Sequence, residues 1–293
     1  MDLRRCGFIR TKWANKFAPT ARFDRGFLME WYLAYLLLGA FVGFFAGLLG
    51  IGGGLILVPV LGWLFEAQHL GGAQSLHLAL GTSMAAILYT AASSAHTHYA
   101  HGAVNMGIVR GMTPGLLLGT LLGTLFASGS PQLYLSVFFA LFVYFAAAQM
   151  LLGFRPKATR QLPGRVGLTL VGSGIGAISS LVSIGGGTLS IPYMLWHNIP
   201  FKHAIGTSAA LGFPIALGGT IGYAATGLML HTLPAGTLGF VYLPALFMLI
   251  FGSAFTTPLG AKATHRLPLK PLRRGFAILL FVLATRMLLK AIA

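Results

Sequence analysis

The chain has 293 residues, of which 56% are hydrophobic and only 8% are charged. Soluble domains carry about 25% charged residues, so this composition excludes a soluble globular protein and indicates one that crosses a membrane several times. The formal net charge of +16 would favour a nucleic-acid partner in a soluble domain. Here the basic residues cluster at the ends of apolar segments, where they set topology and contact anionic lipid. We therefore expect a lipid bilayer around the chain and no nucleic-acid partner.

The chain begins with a basic, irregular stretch, residues 1–28, that is unlike the rest. No apolar segment follows its first basic residues at the usual distance, so it is not predicted to be a cleaved signal peptide. Met29 is a natural start. We interpret residues 1–28 either as a mis-assigned start or as a cytoplasmic polybasic extension.

Residues 29–154 are predicted to form the first of two membrane repeats. Residues 31–65 carry no charge, and this stretch is too long for one straight helix and too short for two full spans of about 20 residues. We predict a spanning helix, a shorter broken piece and three further spans, over residues 31–50, 53–65, 78–98, 105–127 and 133–153.

A basic linker, residues 155–165, leads to the second predicted repeat, residues 166–293. That repeat follows the same plan, with helices predicted over residues 166–184, 187–197, 203–226, 236–260 and 272–291. The predicted fold class is an all-α polytopic membrane protein. It has two tandem repeats of about four transmembrane helices each, and the first helix of each repeat is broken at Gly-Gly-Gly.

The glycine triplet is the feature that the two halves share most clearly. Gly52, Gly53 and Gly54 precede Pro59, and at the same spacing Gly185, Gly186 and Gly187 precede Pro192. Glycine weakens a helix interior by about 1 kcal/mol per residue, so each triplet predicts a break. The helix that restarts after it exposes N–H groups and a positive dipole end, which favours an anion. Paired broken helices in two halves of a membrane protein indicate a transporter's substrate site.

A second motif follows each triplet in the same order. Gly81-Thr82-Ser83 in the first half matches Gly206-Thr207-Ser208 in the second. Buried hydroxyls usually bond back to a carbonyl of their own helix, but a Thr/Ser pair can also donate to an oxyanion without burying a charge. The sequence leaves both roles open. Its two matched motifs predict an internal duplication.

Acidic residues are scarce, which limits the substrate. Only Asp2, Asp24, Glu30 and Glu66 occur, and no predicted span contains one in its interior. Cation and proton carriers place carboxylates inside the membrane, so we expect an anionic or neutral substrate. Any proton coupling would use a histidine or the substrate itself, and His77 and His203, just before the two Gly-Thr-Ser motifs, are the candidates.

We predict neither an enzyme nor a metal or cofactor site. His96, His98 and His101 cluster near a span end without a carboxylate or cysteine, so we interpret them as a solvated interfacial cluster. The chain lacks a catalytic-dyad motif, and almost no acid is present to orient a histidine.

Two further patterns concern packing and topology. Gly39, Gly43 and Gly47, like Gly115, Gly119 and Gly123, lie four residues apart, which predicts close helix–helix contact. Four crossings per repeat would place the linker and both termini in the cytoplasm. The basic stretch 262–274 would then lie outside, against the positive-inside rule. Either one segment of the second half does not fully cross or the orientation is opposite.

The quoted motifs, with the tail Gly260-Ala-Lys-Ala-Thr-His-Arg-Leu-Pro268, resemble the TauE/SafE family of sulfite-exporter-like transporters. The resemblance covers roughly residues 29–292 and implies a bacterial inner-membrane permease of seven to nine helices that carries sulfite or small organosulfonates. The substrate site is predicted at the two triplets, the two prolines and the two Gly-Thr-Ser motifs. Two alternative functions stay open: a membrane-embedded enzyme or assembly subunit acting on a sulfur compound or lipid, and a divalent-metal carrier. A homo-oligomer also stays open.

Overall fold

The computed structural model describes residues 25–50, 52–152, 160–230, 233–264 and 269–292. Residues 1–24 of the predicted N-terminal extension and residues 155–159 of the predicted linker lie outside these ranges. The ten α-helices of the described ranges are α1 (Arg25–Leu49), α2 (Gly54–Ala67), α3 (Ser75–Ala100), α4 (Met106–Gly129), α5 (Gln132–Leu152), α6 (Arg165–Leu181), α7 (Gly187–Trp196), α8 (Phe201–Leu228), α9 (Leu243–Ala263) and α10 (Leu269–Ile292). A short 3₁₀ turn, Gly72–Gln74, precedes α3.

The predicted all-α polytopic membrane fold is confirmed. Six of the described helices are long and apolar enough to cross a membrane: α1, α3, α4, α5, α8 and α9. Two predicted helix starts are wrong by six or seven residues, because α1 starts at Arg25 and not near residue 31, and α9 starts at Leu243 and not near residue 236. The intervening residues form a short antiparallel pair, β1 (Thr237–Leu238) and β2 (Val241–Tyr242).

The broken helix of each half turns back on itself. The side-chain amide of Gln68, just after α2, donates to the Tyr35 hydroxyl near the start of α1, and the rings of Tyr35 and Phe65 are 6.3 Å apart. In the second half the Arg160 amide, before α6, donates to the Trp196 carbonyl at the end of α7, at 3.3 Å. Each half is therefore a hairpin followed by three longer helices, whereas the sequence predicted four spans of which the first is broken.

The two halves run in opposite directions. Near the start of α3, Gly81 lies against the Phe240 carbonyl, which follows α8, and near the start of α8, Gly206 lies against the Ala103 carbonyl, which follows α3. α3 and α8 are thus antiparallel at the centre of the bundle. We call the end where α1 begins the first face and the end where α6 begins the second face, so the two hairpins enter from opposite faces.

The directions of the helices also bear on the topology. The end of α5 and the start of α6 lie at the same face as the loop between α9 and α10. The described basic side chains at that second face are Arg110, Arg160, Arg165, Lys202, Lys262, Arg273 and Arg274. The positive-inside rule applied to these side chains favours a cytoplasmic second face, which would place the start of α1 outside, whereas the seven basic residues at positions 4–25 favour a cytoplasmic start of α1.

The spaced glycines confirm the predicted close packing. A Cβ added to Gly39 or Gly47 of α1 would collide with the carbonyl oxygens of Leu249 and Thr257 on α9. Gly115, Gly119 and Gly123 of α4 likewise lie against the backbone and side chains of α6. The first helix of each half thus packs on a late helix of the other half, which ties the two hairpins into one bundle.

Candidate functional site

The two glycine triplets meet inside the bundle. A Cβ on Gly52 would lie 2.8 Å from the Gly185 Cα atom, so the two backbones are in direct contact. Gly52, Gly53 and Gly186 have φ angles of 82, 82 and 77°, in the left-handed region that residues with a Cβ rarely adopt. Glycine is therefore required here both by backbone conformation and by close approach.

The half-helices α2 and α7 start at this contact and point away from it. Gly53 and Gly186 are their N-caps, and α2 returns to the first face while α7 returns to the second. The first N–H groups of any helix have no intrahelical acceptor, and a glycine cap offers no side chain to satisfy them. Each N-terminus also carries about half a positive charge. The centre thus presents N–H donors and about one positive charge in total.

A small cavity of about 10 Å³ lies beside the triplets. Its walls combine backbone and small side chains: Ala46, Gly50, Gly52, Thr90, Ala91, Ser94, Gly185, Ala209 and Gly212. This volume holds about one water molecule. An oxyanion would therefore enter only after the surrounding helices separate.

Ser94 supplies a hydroxyl that the protein itself does not use. Its side chain is 2% exposed, and its Oγ has no hydrogen-bond partner among the described residues. One turn earlier on α3, the Thr90 hydroxyl donates to the Ile87 carbonyl at 3.2 Å. Buried polar groups are normally paired, so a free Ser94 hydroxyl in a cavity wall indicates a ligand or water there.

Sequence reasoning missed Thr90 and Ser94. Aligning the two Gly-Thr-Ser motifs pairs Thr90 with Ile215 and Ser94 with Gly219, so the hydroxyls occur in one half only and a search for repeated motifs passes over them. Their spacing of four residues, which places both on one helix face, is the signal that could have found them.

The predicted triplet residues are brought together at this site. Gly52 and Gly185 line the cavity, and Gly53 and Gly186 cap the half-helices that Gly54 and Gly187 begin. The two prolines lie elsewhere: Pro59 and Pro192 are inside α2 and α7, half-buried, and neither lines the central cavity.

The Gly-Thr-Ser motifs hold the connections at the two faces. The Thr82 hydroxyl accepts from the Tyr242 amide, and the Thr207 hydroxyl accepts from the Asn105 amide, both at 2.9 Å. Gly81 and Gly206 lie under the same connections. These residues are not in the cavity wall, and their contacts correspond to the structural role that the sequence left open.

The two serines of these motifs differ from each other. Ser208 Oγ is 3.2 Å from the Gly50 carbonyl oxygen and donates toward the edge of the cavity, and it lies 2.8 Å from the Ile205 carbonyl oxygen. Ser83 Oγ is buried and has no partner within the described ranges. Ser208 is thus the motif residue nearest to the site.

The predicted coupling histidines lie far apart. His77 is buried near the first face, with Nε2 3.1 Å from the Ala127 carbonyl oxygen and its ring stacked on Phe240. His203 is exposed at the start of α8, at the second face. Neither lines the cavity.

His98 corrects our interpretation of the histidine cluster. His96 and His101 are exposed, whereas His98 is fully buried, with Nε2 3.4 Å from the Gly47 carbonyl oxygen. Across the described ranges no three His, Cys, Asp or Glu side chains are grouped so as to hold a metal ion. His98 lies one helical turn from Ser94 and therefore on the same face of α3.

Two oppositely directed half-helices that start at the centre of a membrane-spanning bundle define the class of secondary transporters with inverted, discontinuous helices. The chain belongs to the sulfite exporter TauE/SafE family, whose sequence profile matches residues 35–287. This confirms the resemblance drawn from the motifs.

Relatives agree with this assignment. A probable membrane transporter protein of Haemophilus influenzae is 35% identical over 264 residues, which cover 90% of this chain and all of the relative. YdhB of Bacillus subtilis, also named a probable membrane transporter protein, is 29% identical over 80% of this chain and 90% of its own length. The archaeal MJ0441 of Methanocaldococcus jannaschii is 24% identical over 87% of this chain and 94% of its own length. No solved structure matches the chain. The protein is a multi-pass membrane transporter.

Proposed function

We propose that the protein is a secondary transporter of a small oxyanion, sulfite or an organosulfonate, in the bacterial inner membrane. The observation that carries the proposal is the meeting of two half-helix N-termini beside the free hydroxyl of Ser94. Backbone N–H groups after the two triplets would bind the anion's oxygens, and the Ser94 hydroxyl would add a further donor.

The charge of the site favours an anion with a single charge. Every buried polar side chain in the described ranges is Ser, Thr or His, so no lysine or arginine is available to neutralise a second charge. The two helix dipoles together supply about one positive charge. A dianion would keep an uncompensated charge in a low-dielectric site, which is costly. Bisulfite, the protonated form of sulfite, and sulfonates without a second acidic group carry a single charge, whereas sulfite, sulfoacetate and sulfate carry two.

Transport follows from the opposed hairpins. α2 connects the site to the first face and α7 connects it to the second, so a rocking motion of one half against the other opens the site to each face in turn. The water-sized cavity corresponds to a state closed to both faces. The contact between Gly52 and Gly185 lies where the halves would separate.

Coupling to protons would use a histidine, since no carboxylate is buried in the described ranges. His77 and His203 were the candidates from sequence. His98 is better placed, because it holds the end of α1 through the Gly47 carbonyl and lies one turn from Ser94. Protonation of His98 would change its contact with the Gly47 carbonyl at the end of α1, three residues before the cavity residue Gly50.

The decisive experiment is flux into proteoliposomes with sulfite, sulfoacetate, taurine, sulfate and chloride, with and without a pH gradient. We expect saturable flux of a singly charged sulfur oxyanion and little flux of sulfate. Absence of flux of every anion from folded protein would overturn the proposal. That result would favour the alternative function, a membrane-embedded enzyme or assembly subunit. No contact among the described residues supports this alternative.

A further inference from the structure

A second and much larger cavity lies apart from the central site. It has a volume of about 530 Å³ and opens between α2, α5 and α10 at the first face. Its wall is apolar along Val58, Leu283 and Met287 and polar at the end formed by Glu66, Arg286 and Lys290. The cavity is therefore amphipathic, with a size typical of ligand sites.

The charged end has an excess of positive charge. Lys290 forms an ion pair with Glu66. The Arg286 guanidinium lies 5.8 Å from the centroid of the Trp63 ring, and within the described part of the chain it has no carboxylate partner. One positive charge is thus left for an anion. Trp63 is 54% exposed, as is common for tryptophan at a membrane–water interface.

We propose that this cavity binds an anionic phospholipid, with its phosphate beside Arg286 and Lys290 and the upper part of an acyl chain along Val58, Leu283 and Met287. Basic pockets between transmembrane helices at the cytoplasmic or matrix side bind anionic headgroups, and the same pairing of a phosphate with Arg and Lys applies at either face. A free inorganic anion would occupy the charged end alone and would leave the apolar wall uncovered. A lipid fills both parts.

Such a lipid would act on the half-helix α2. The cavity walls include the C-terminal half of α2, whose N-terminus carries the triplet at the central site. α5 and α10 pack on each other, with the Tyr144 and Thr285 hydroxyls 2.8 Å apart. The lipid would join α2 to this outer helix pair. This inference does not depend on the identity of the transported anion.

Trp63 provides a direct probe of the site. We would replace Trp13, Trp31 and Trp196 with phenylalanine in the full-length protein and reconstitute it in phosphatidylcholine vesicles. A small mole fraction of brominated phosphatidylglycerol or, separately, brominated phosphatidylcholine would then quench Trp63 fluorescence. We expect stronger quenching by the brominated anionic lipid, with a preference of about fivefold for each basic side chain that contributes.

Matched variants show which side chains cause the preference for the anionic lipid. R286Q and K290Q should each remove most of the headgroup preference, whereas R110Q, which changes an exposed arginine at the second face, should leave it intact. R286Q leaves the Lys290–Glu66 pair in place, so it remains informative if K290Q is poorly folded.

Three outcomes would overturn the proposal. Equal quenching by both lipids would show that the headgroup is not recognised. Relief of quenching by soluble glycerophosphate would identify a free-anion site. Protection of Trp63 from both lipids in a protein that runs as a dimer would identify a second copy as the occupant.

Discussion

Gly52 lies directly against Gly185, so that a Cβ on Gly52 would come within 2.8 Å of the Gly185 Cα atom. This backbone contact joins the two half-helices of the proposed site. We predict that G52A lowers the initial rate of anion flux by at least about fivefold, because the new methyl group both clashes and opposes a φ of 82° at a cost of at least about 1 kcal/mol. Proteoliposome flux at matched protein density measures this.

The control for this prediction is G62A on the same half-helix, since a Cβ at Gly62 meets nothing within 4 Å. G62A should transport at the wild-type rate. G53V and G186V should behave like G52A and still insert in the membrane. Normal flux in G52A, G53V and G186V would show that the glycine triplets do not form the transport site.

Ser94 is predicted to contact the substrate. Because its hydroxyl has no protein partner in the described ranges, S94A should leave thermal stability unchanged within about 0.5 kcal/mol. It should raise the KM for anion flux by about five- to tenfold, which corresponds to one lost hydrogen bond of about 1 kcal/mol. S93A changes a neighbouring serine outside the cavity wall and should alter neither the thermal stability nor the KM. An unchanged KM in S94A would place the anion elsewhere.

Thr82 and Thr207 are predicted to stabilise the fold rather than to bind substrate. T82V and T207V each leave a backbone amide, of Tyr242 or Asn105, without its acceptor, so each should destabilise the protein by about 1–3 kcal/mol. Thermal unfolding in detergent measures this, and T82S, which keeps the hydroxyl, should restore most of the loss. A raised KM with normal stability would instead support the lining role.

The orientation can be tested by cysteine labelling in a C6S background. Ala73 and Ala235 lie in connections at the first face, and Asn198 lies at the second; all three are exposed. A membrane-impermeant maleimide should label A73C and A235C in intact cells and should label N198C only after permeabilisation. The reverse pattern would place the start of α1 in the cytoplasm and the basic second face outside.

Much of this protein could be predicted from its sequence by simple physical rules. A chain with 8% charged residues cannot cover a soluble surface, and glycine triplets cannot continue a helix, so the membrane class and the positions of both breaks follow from composition and local conformation. The spacing of Gly39, Gly43 and Gly47 also predicted close packing, because a four-residue repeat places small residues on one helix face.

The path of the chain after each break was decided by tertiary contacts. A glycine-rich segment can continue across the membrane or turn back, and its local energy is similar in both cases. The contact between Tyr35 and Gln68 joins residues that are distant in sequence, and it selects the hairpin. Sequence alone predicted a broken spanning helix here, and the hairpin is what brings the start of each half-helix to the central site.

The members of the site depend on the tertiary structure in the same way. Sequence comparison of the two halves found Thr82 and Thr207 because they repeat, and they repeat because both halves need an acceptor for a loop amide. Ser94 has no counterpart in the second half and becomes notable only when the fold buries its hydroxyl beside Gly52 and Gly185 without a partner. Composition and local conformation determined that the chain crosses a membrane and where its helices break. Only long-range packing decided which polar groups those breaks leave free to bind an anion.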